Sequence, residues 1–170
     1  ISVAGAAEQK PRFFQQGRRI VEDAGLLPRQ ITELSGAIGT LELIGGRRKK
    51  ARDFFRQSVV DPTGSALAQA EWASPAFGVE LVSAQRLVFA PEADEATAFH
   101  LFREDRLFQV SDACVRWSKS EPYSIRPFEV GSSAAGMIGQ HERSLDLAQA
   151  GLKIRPDAEL LRNNEAFALA

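Results

Sequence analysis

The sequence predicts an all-α protein, built as a stack of antiparallel helix hairpins winding into a right-handed superhelix. Three observations lead there. Pro122 and Pro156 lie 34 residues apart and each closes a stretch of helical spacing. Positions around them recur at the same offset: Ala98, Ser132 and Ala166; Leu101, Ala135 and Leu169; Cys114 and Ala148; Trp117 and Gly151. Strand-like alternation is scarce. A fixed period of this length is the mark of a helical solenoid, in which each unit buries its apolar faces only by stacking on its neighbours.

Residues 1–10 are small and polar and read as a lead-in. From Arg12 to Ala24 the spacing of Phe13, Phe14, Gly17, Ile20, Val21 and Ala24 is helical, with Gly25 and Pro28 as punctuation. Ile31, Leu34, Ile38, Leu41 and Leu43-Ile44 predict the next helix, ended by Gly45-Gly46. Ala51, Phe54, Phe55, Ser58 and Val59 mark another, ended near Asp61-Pro62. Residues 63–90 are the least regular. Ala66 to Ala73 is a good helix former, Ser74-Pro75 is expected to interrupt it, and Val79 to Phe89 is read as helix in preference to strand. Pro91 is suited to open a helix through Glu92, Ala96, Phe99 and Phe102, and Arg106 to Ser120 follows as its antiparallel mate. Tyr123 to Pro127 reads as a connector. Phe128 to Ile138 and Gln140 to Ile154 form a pair turned at Gly139, and Asp157 is placed to cap a last segment, Ala158 to Ala170. The total is about nine helices.

These residues resemble the tetratricopeptide repeat. In that family a small residue lets paired helices approach, a glycine makes the turn and a proline ends the unit. The best match is Phe128, Ser132, Gly139, Ser144, Ala148, Gly151 and Pro156. A second is Ala98, Leu101, Asp105, Val110, Cys114, Trp117 and Pro122, where Asp105 replaces the turn glycine, and Val110 and Trp117 replace small residues. A third is Gly39, Gly46, Ala51, Phe55, Ser58 and Pro62. The expected organisation is one helical-repeat domain over 1–170, part of a longer protein, with repeats at about 31–62, 63–90 (irregular), 91–122, 125–156 and 159–170 (partial).

The resemblance implies a concave groove, lined mainly by the first helix of each pair, that holds a peptide, a helix or a neighbouring domain. By resemblance its inward face carries Glu92, Glu95, Phe99, Arg103, Arg126, Glu129, Ser133, Met137 and Asn163. The plainer reading of each is solvated helix surface. Phe99 and Ser133 stand where family members that grip a terminal carboxylate have asparagine, so that clamp is not expected. The function implied is a protein-interaction scaffold, with self-association through exposed terminal repeats as a further expectation.

The net charge of −1 argues against a general nucleic-acid binder, yet the charge is uneven. Residues 1–60 carry eleven Lys/Arg against six Asp/Glu (+5), and residues 61–125 carry five against ten (−5). The densest basic run is Arg47, Arg48, Lys49, Lys50 and Arg52, with Arg12, Arg18 and Arg19 upstream. It supports the alternative function, a regulatory helical domain that meets nucleic acid or an acidic partner, against the plainer reading of a solvated turn. Catalytic residues, metal ligands and cofactors are not expected. His100 and His141 are 41 residues apart, and Asp94-Glu95 and Glu104-Asp105 are helix neighbours that do not face each other. The single Cys114 falls on an apolar helix side and excludes an internal disulfide, fitting a reducing, cytoplasmic setting. Trp72 and Trp117 read as packing residues.

Overall fold

A computed structural model describes residues 11–22, 25–90 and 93–170. The described residues form ten helices and no strands: α1 (Pro11–Val21), α2 (Pro28–Ile44), α3 (Arg48–Ser58), α4 (Gly64–Phe77), α5 (Ala84–Phe89), α6 (Asp94–Arg103), α7 (Leu107–Ser120), α8 (Arg126–Met137), α9 (His141–Ile154) and α10 (Glu159–Leu169). The lead-in, the helix end at Ala24, and the helix start at Pro91 with Glu92 lie outside the described residues. Two compact units divide the chain, 1–96 and 97–170, with the boundary inside α6.

In the first unit α1 packs on α2, and α2, α3 and α4 each touch the other two. Val21, Ile31 and Ile38 make one small core with Phe14, Leu34 and Phe54. A larger core gathers Phe55, Val59, Leu67, Ala70, Ala73, Val82 and Leu87. Phe55 fills the space that Gly39 leaves beside it, and meets Phe77 edge-on at 6.0 Å. The Thr63 hydroxyl caps α4 by accepting from the Ala66 N–H at 3.1 Å.

Two expectations for this unit are corrected. Pro75 does not interrupt α4, which runs through it to Phe77 and stops at Gly78 with φ 65°. The proline removes one backbone donor near the helix end, and burial of Ala73 in the larger core, with the partly buried Phe77 packed against it, keeps the last turn in place. Val79 to Phe89 is not one helix. Only Ala84–Phe89 is helical, because Leu81 and Val82 turn into the core and the Leu81 N–H is held by Ser74 Oγ at 3.1 Å.

In the second unit α7 packs on α8, α8 on α9, and α10 on both α8 and α9. Ala98, Leu101, Val110, Cys114, Trp117 and Ala134 share a core, and Ile125, Ala158 and Leu161 share another with Phe128 and Leu152. Helix contact is closest at Gly151, where an added Cβ would lie 2.6 Å from Leu161 Cδ1 and 2.8 Å from Phe128 Cβ. Two starts differ from expectation. α8 begins at Arg126, with Pro127 in its first turn, where a missing N–H loses no helical bond. Ala158, not Asp157, is the N-cap of α10, and no side chain caps it.

One turn geometry occurs three times. Gly46, Asp105 and Gly139 hold φ of 76°, 57° and 73°. The N–H after each bonds back five residues, Arg47 to Glu42, Arg106 to Leu101 and Gln140 to Ala135, at 2.8–2.9 Å. The N–H of each left-handed residue itself bonds back three residues, to Leu43, Phe102 and Gly136. This double closure caps the orphan carbonyls of the first helix and reverses the chain into the second. Asp105 is the one non-glycine residue with positive φ among the described residues. A short polar side chain tolerates that region better than a branched one.

Candidate functional site

The expected groove residues fall into three groups. Phe99 and Arg126 come together. The Phe99 ring meets Trp117 edge-on at 5.9 Å, and the Arg126 guanidinium lies 5.6 Å from the Phe99 centroid and 5.7 Å from that of Trp117. Rings of this kind attract a cation through their negative faces and fix where Arg126 sits at the start of α8. Trp117 is buried in the core, so its packing role stands and it also positions a charge. Trp72, in contrast, leaves 52% of its surface exposed.

Ser133 belongs to a second group. Its hydroxyl accepts from Asn164 Nδ2 at 3.0 Å, and the same nitrogen donates to Ser132 Oγ at 2.8 Å. Ser132 in turn offers its carbonyl to Ser144 Oγ at 2.9 Å, so α8, α9 and α10 are joined by a polar seam. The asparagine that reaches this seam is Asn164. Asn163, the residue expected from sequence, is exposed. One residue along a helix rotates a side chain by about 100°, and neighbouring asparagines give no compositional signal to choose between them.

The remaining positions are more scattered. Glu95 and Glu129 are half-buried in the first turns of α6 and α8, and Met137 is exposed at the end of α8. Arg103 ends α6 with its Nη2 3.1 Å from His100 Nδ1. Glu92 lies outside the described residues.

The basic run has a different arrangement. Arg47 donates from Nε to the carboxylate of Glu42, which is fully buried, and Arg18 Nη1 stands 3.9 Å from the other oxygen of that carboxylate. Arg48 donates to the carbonyl of Ala76. These two arginines therefore hold the α2–α3 turn and the end of α4. Lys49 and Lys50 are exposed and Arg52 is half-buried. Sequence reasoning missed Glu42 as their anchor, since an acid among apolar residues reads as helix surface.

Burial pushes the Cys114 thiol up to about 12 against the pull of Arg116 and Arg143, so it stays protonated and unreactive at neutral pH. His141 lies against the Phe167 ring at 5.8 Å. Among the described residues, no group of three or more His, Cys, Asp or Glu side chains is placed to hold a metal ion, and no helix is long and apolar enough to cross a membrane. Comparison with protein-family models, with curated proteins and with solved structures finds no match to this chain.

Proposed function

We propose that this chain is a non-enzymatic interaction module of the tetratricopeptide-repeat type, which holds a peptide, a helix or a neighbouring domain against the first helices of its hairpins. The observation that carries this reading is the threefold turn geometry at Gly46, Asp105 and Gly139. Two of those turns stand at the 34-residue period, and all three join a first helix to its antiparallel partner. Packing of helices two apart agrees with it: α2 touches α4 and α8 touches α10, as first helices do in a stack of hairpins. Arg126, held over two rings, is the best-positioned charged group on that face.

The test compares the chain with a variant carrying Arg103→Ala, Arg126→Ala and Glu129→Ala, each immobilised and used to capture binding proteins. A saturable partner that the variant loses, while its circular dichroism is unchanged, supports the reading. Equal capture by both overturns the groove as the binding surface. A partner whose binding depends on Lys49 and Lys50 and falls steeply with salt would assign function to the basic run instead.

A further inference from the structure

An open cleft of about 640 Å³ lies in the first unit, where the start of α2, the α3–α4 turn and α5 meet. Its size falls within the range of small-ligand sites. Arg29, Asp61, Ser83, Gln85, Arg86 and Phe89 line it. Pro62 ends one of the expected repeats and Ser83 to Phe89 fall in the irregular 63–90 unit, but none of the lining residues is among the positions placed on the proposed groove, so cleft and groove are tested separately.

The two guanidinium groups are anchored. Arg29 donates from Nη1 to the carbonyl of Pro62, and Arg86 donates from Nη1 to the carbonyl of Val59. Each anchor uses one of the five N–H groups of an arginine, so the heads are fixed while donors are left over. Asp61 stands 3.9 Å from Arg29 and offsets its charge. Among the described residues Arg86 has no carboxylate partner. Among the described residues the lining therefore carries two positive groups and one negative. Ser83 precedes α5 without its hydroxyl making a capping bond, and Gln85 is exposed beside it. Phe89, three residues after Arg86 on the same helix, leaves 78% of its surface uncovered, next to Ala90.

We infer that this cleft binds a ligand bearing one carboxylate next to an apolar group. The carboxylate pairs with Arg86, assisted by Arg29 and the Ser83 hydroxyl, and the apolar group covers Phe89. Charge-assisted bonds to a fixed guanidinium are the strong kind. A dianion such as a phosphate monoester is disfavoured by the Asp61 carboxylate, which offsets one of the two positive groups. The same chemistry is offered by a free short-chain acid and by the C-terminal residue of a peptide.

The experiment is an NMR titration of the ¹⁵N-labelled chain with four probes: hexanoate, hexanamide, an acetylated dipeptide ending in phenylalanine with a free carboxylate, and its amide. The expected result is a saturable shift of the Ser83, Gln85, Arg86 and Phe89 signals with one or both carboxylates and none with the amides. Tighter binding of hexanoate assigns a free acid, and tighter binding of the dipeptide assigns a peptide terminus. Arg86→Gln should weaken binding about tenfold, since it removes one charge-assisted pair. Phe89→Ser should weaken it too while leaving both arginine anchors in place. It decides the matter if Arg86→Gln fails to fold. No saturable shift with either carboxylate, equal shifts with the amides, or undiminished binding by a folded Phe89→Ser variant would overturn the inference.

Discussion

Asp105 holds a conformation that its counterparts Gly46 and Gly139 adopt without strain. An L-residue in the left-handed region costs about 1–2 kcal/mol, less for Asp than for branched residues. Asp105→Gly is therefore expected to stabilise the chain by about 0.5–1 kcal/mol, read from the urea midpoint at constant slope. A drop in stability would mean that the aspartate side chain contributes something the turn geometry does not explain. Cys114 gives a pH-dependent expectation. Its pKa is raised in the folded state from the usual 9.0 to about 12 because burial disfavours the thiolate. The folded chain then binds more protons than the unfolded chain between these values, so stability falls as pH rises. Its contribution is complete below about pH 9 and is lost as pH climbs toward 12. Removing the thiol with Cys114→Ala should flatten that part of the stability profile, and a thiol reagent should label the wild type only on unfolding. Rapid labelling of the native chain at pH 8 would contradict the burial.

Helix boundaries follow local chemistry at most ends and tertiary packing at a few. The Thr63 cap, the proline in the first turn of α8 and the three double-bonded turns are written in short stretches of sequence, where a residue type meets a backbone requirement within five positions. Pro75 is the exception. Locally it should stop a helix, yet α4 continues because the residues around it are packed on α2 and α3. The ring is exposed, so replacing it leaves the core intact. Pro75→Ala is expected to restore one backbone bond and raise stability by about 1 kcal/mol, after allowing for the freer unfolded chain. Thermal melting followed by circular dichroism reads the change. A lower melting temperature would show that the proline preorganises the turn into Gly78.

At the scale of the whole chain, the repeat positions report what covers them. Ala98 and Ser132 are buried, as are Leu101 and Ala135, within hairpins whose second helix lies over the first. Their counterparts in α10, Ala166 and Leu169, are exposed, and Phe167 and Leu169 leave 59% and 67% of their surfaces open. Exposed apolar side chains grouped on one helix favour association. The chain is expected to self-associate with rising concentration, and Leu169→Asp should move the equilibrium toward monomer in sedimentation velocity. Wild type and variant remaining equally monomeric at the highest soluble concentration would remove that expectation.

The all-helical class, most helix positions and all three hairpin turns were legible in the sequence, because helical periodicity and turn chemistry are properties of residues within one or two turns of each other. The side-chain arrangements were not. Arg48 finds the carbonyl of Ala76, Arg29 that of Pro62, and Asn164 the hydroxyls of Ser132 and Ser133, over separations of 28 to 33 residues. Tertiary structure alone decided that Asn164 rather than Asn163 joins the seam, and that Arg47 pairs with a buried Glu42. It also shaped the irregular 63–90 region into one wall of a cleft. Periodicity fixes which face of a helix is apolar, whereas the partner of a polar head depends on which distant backbone or side-chain atom the packing of that face brings within reach.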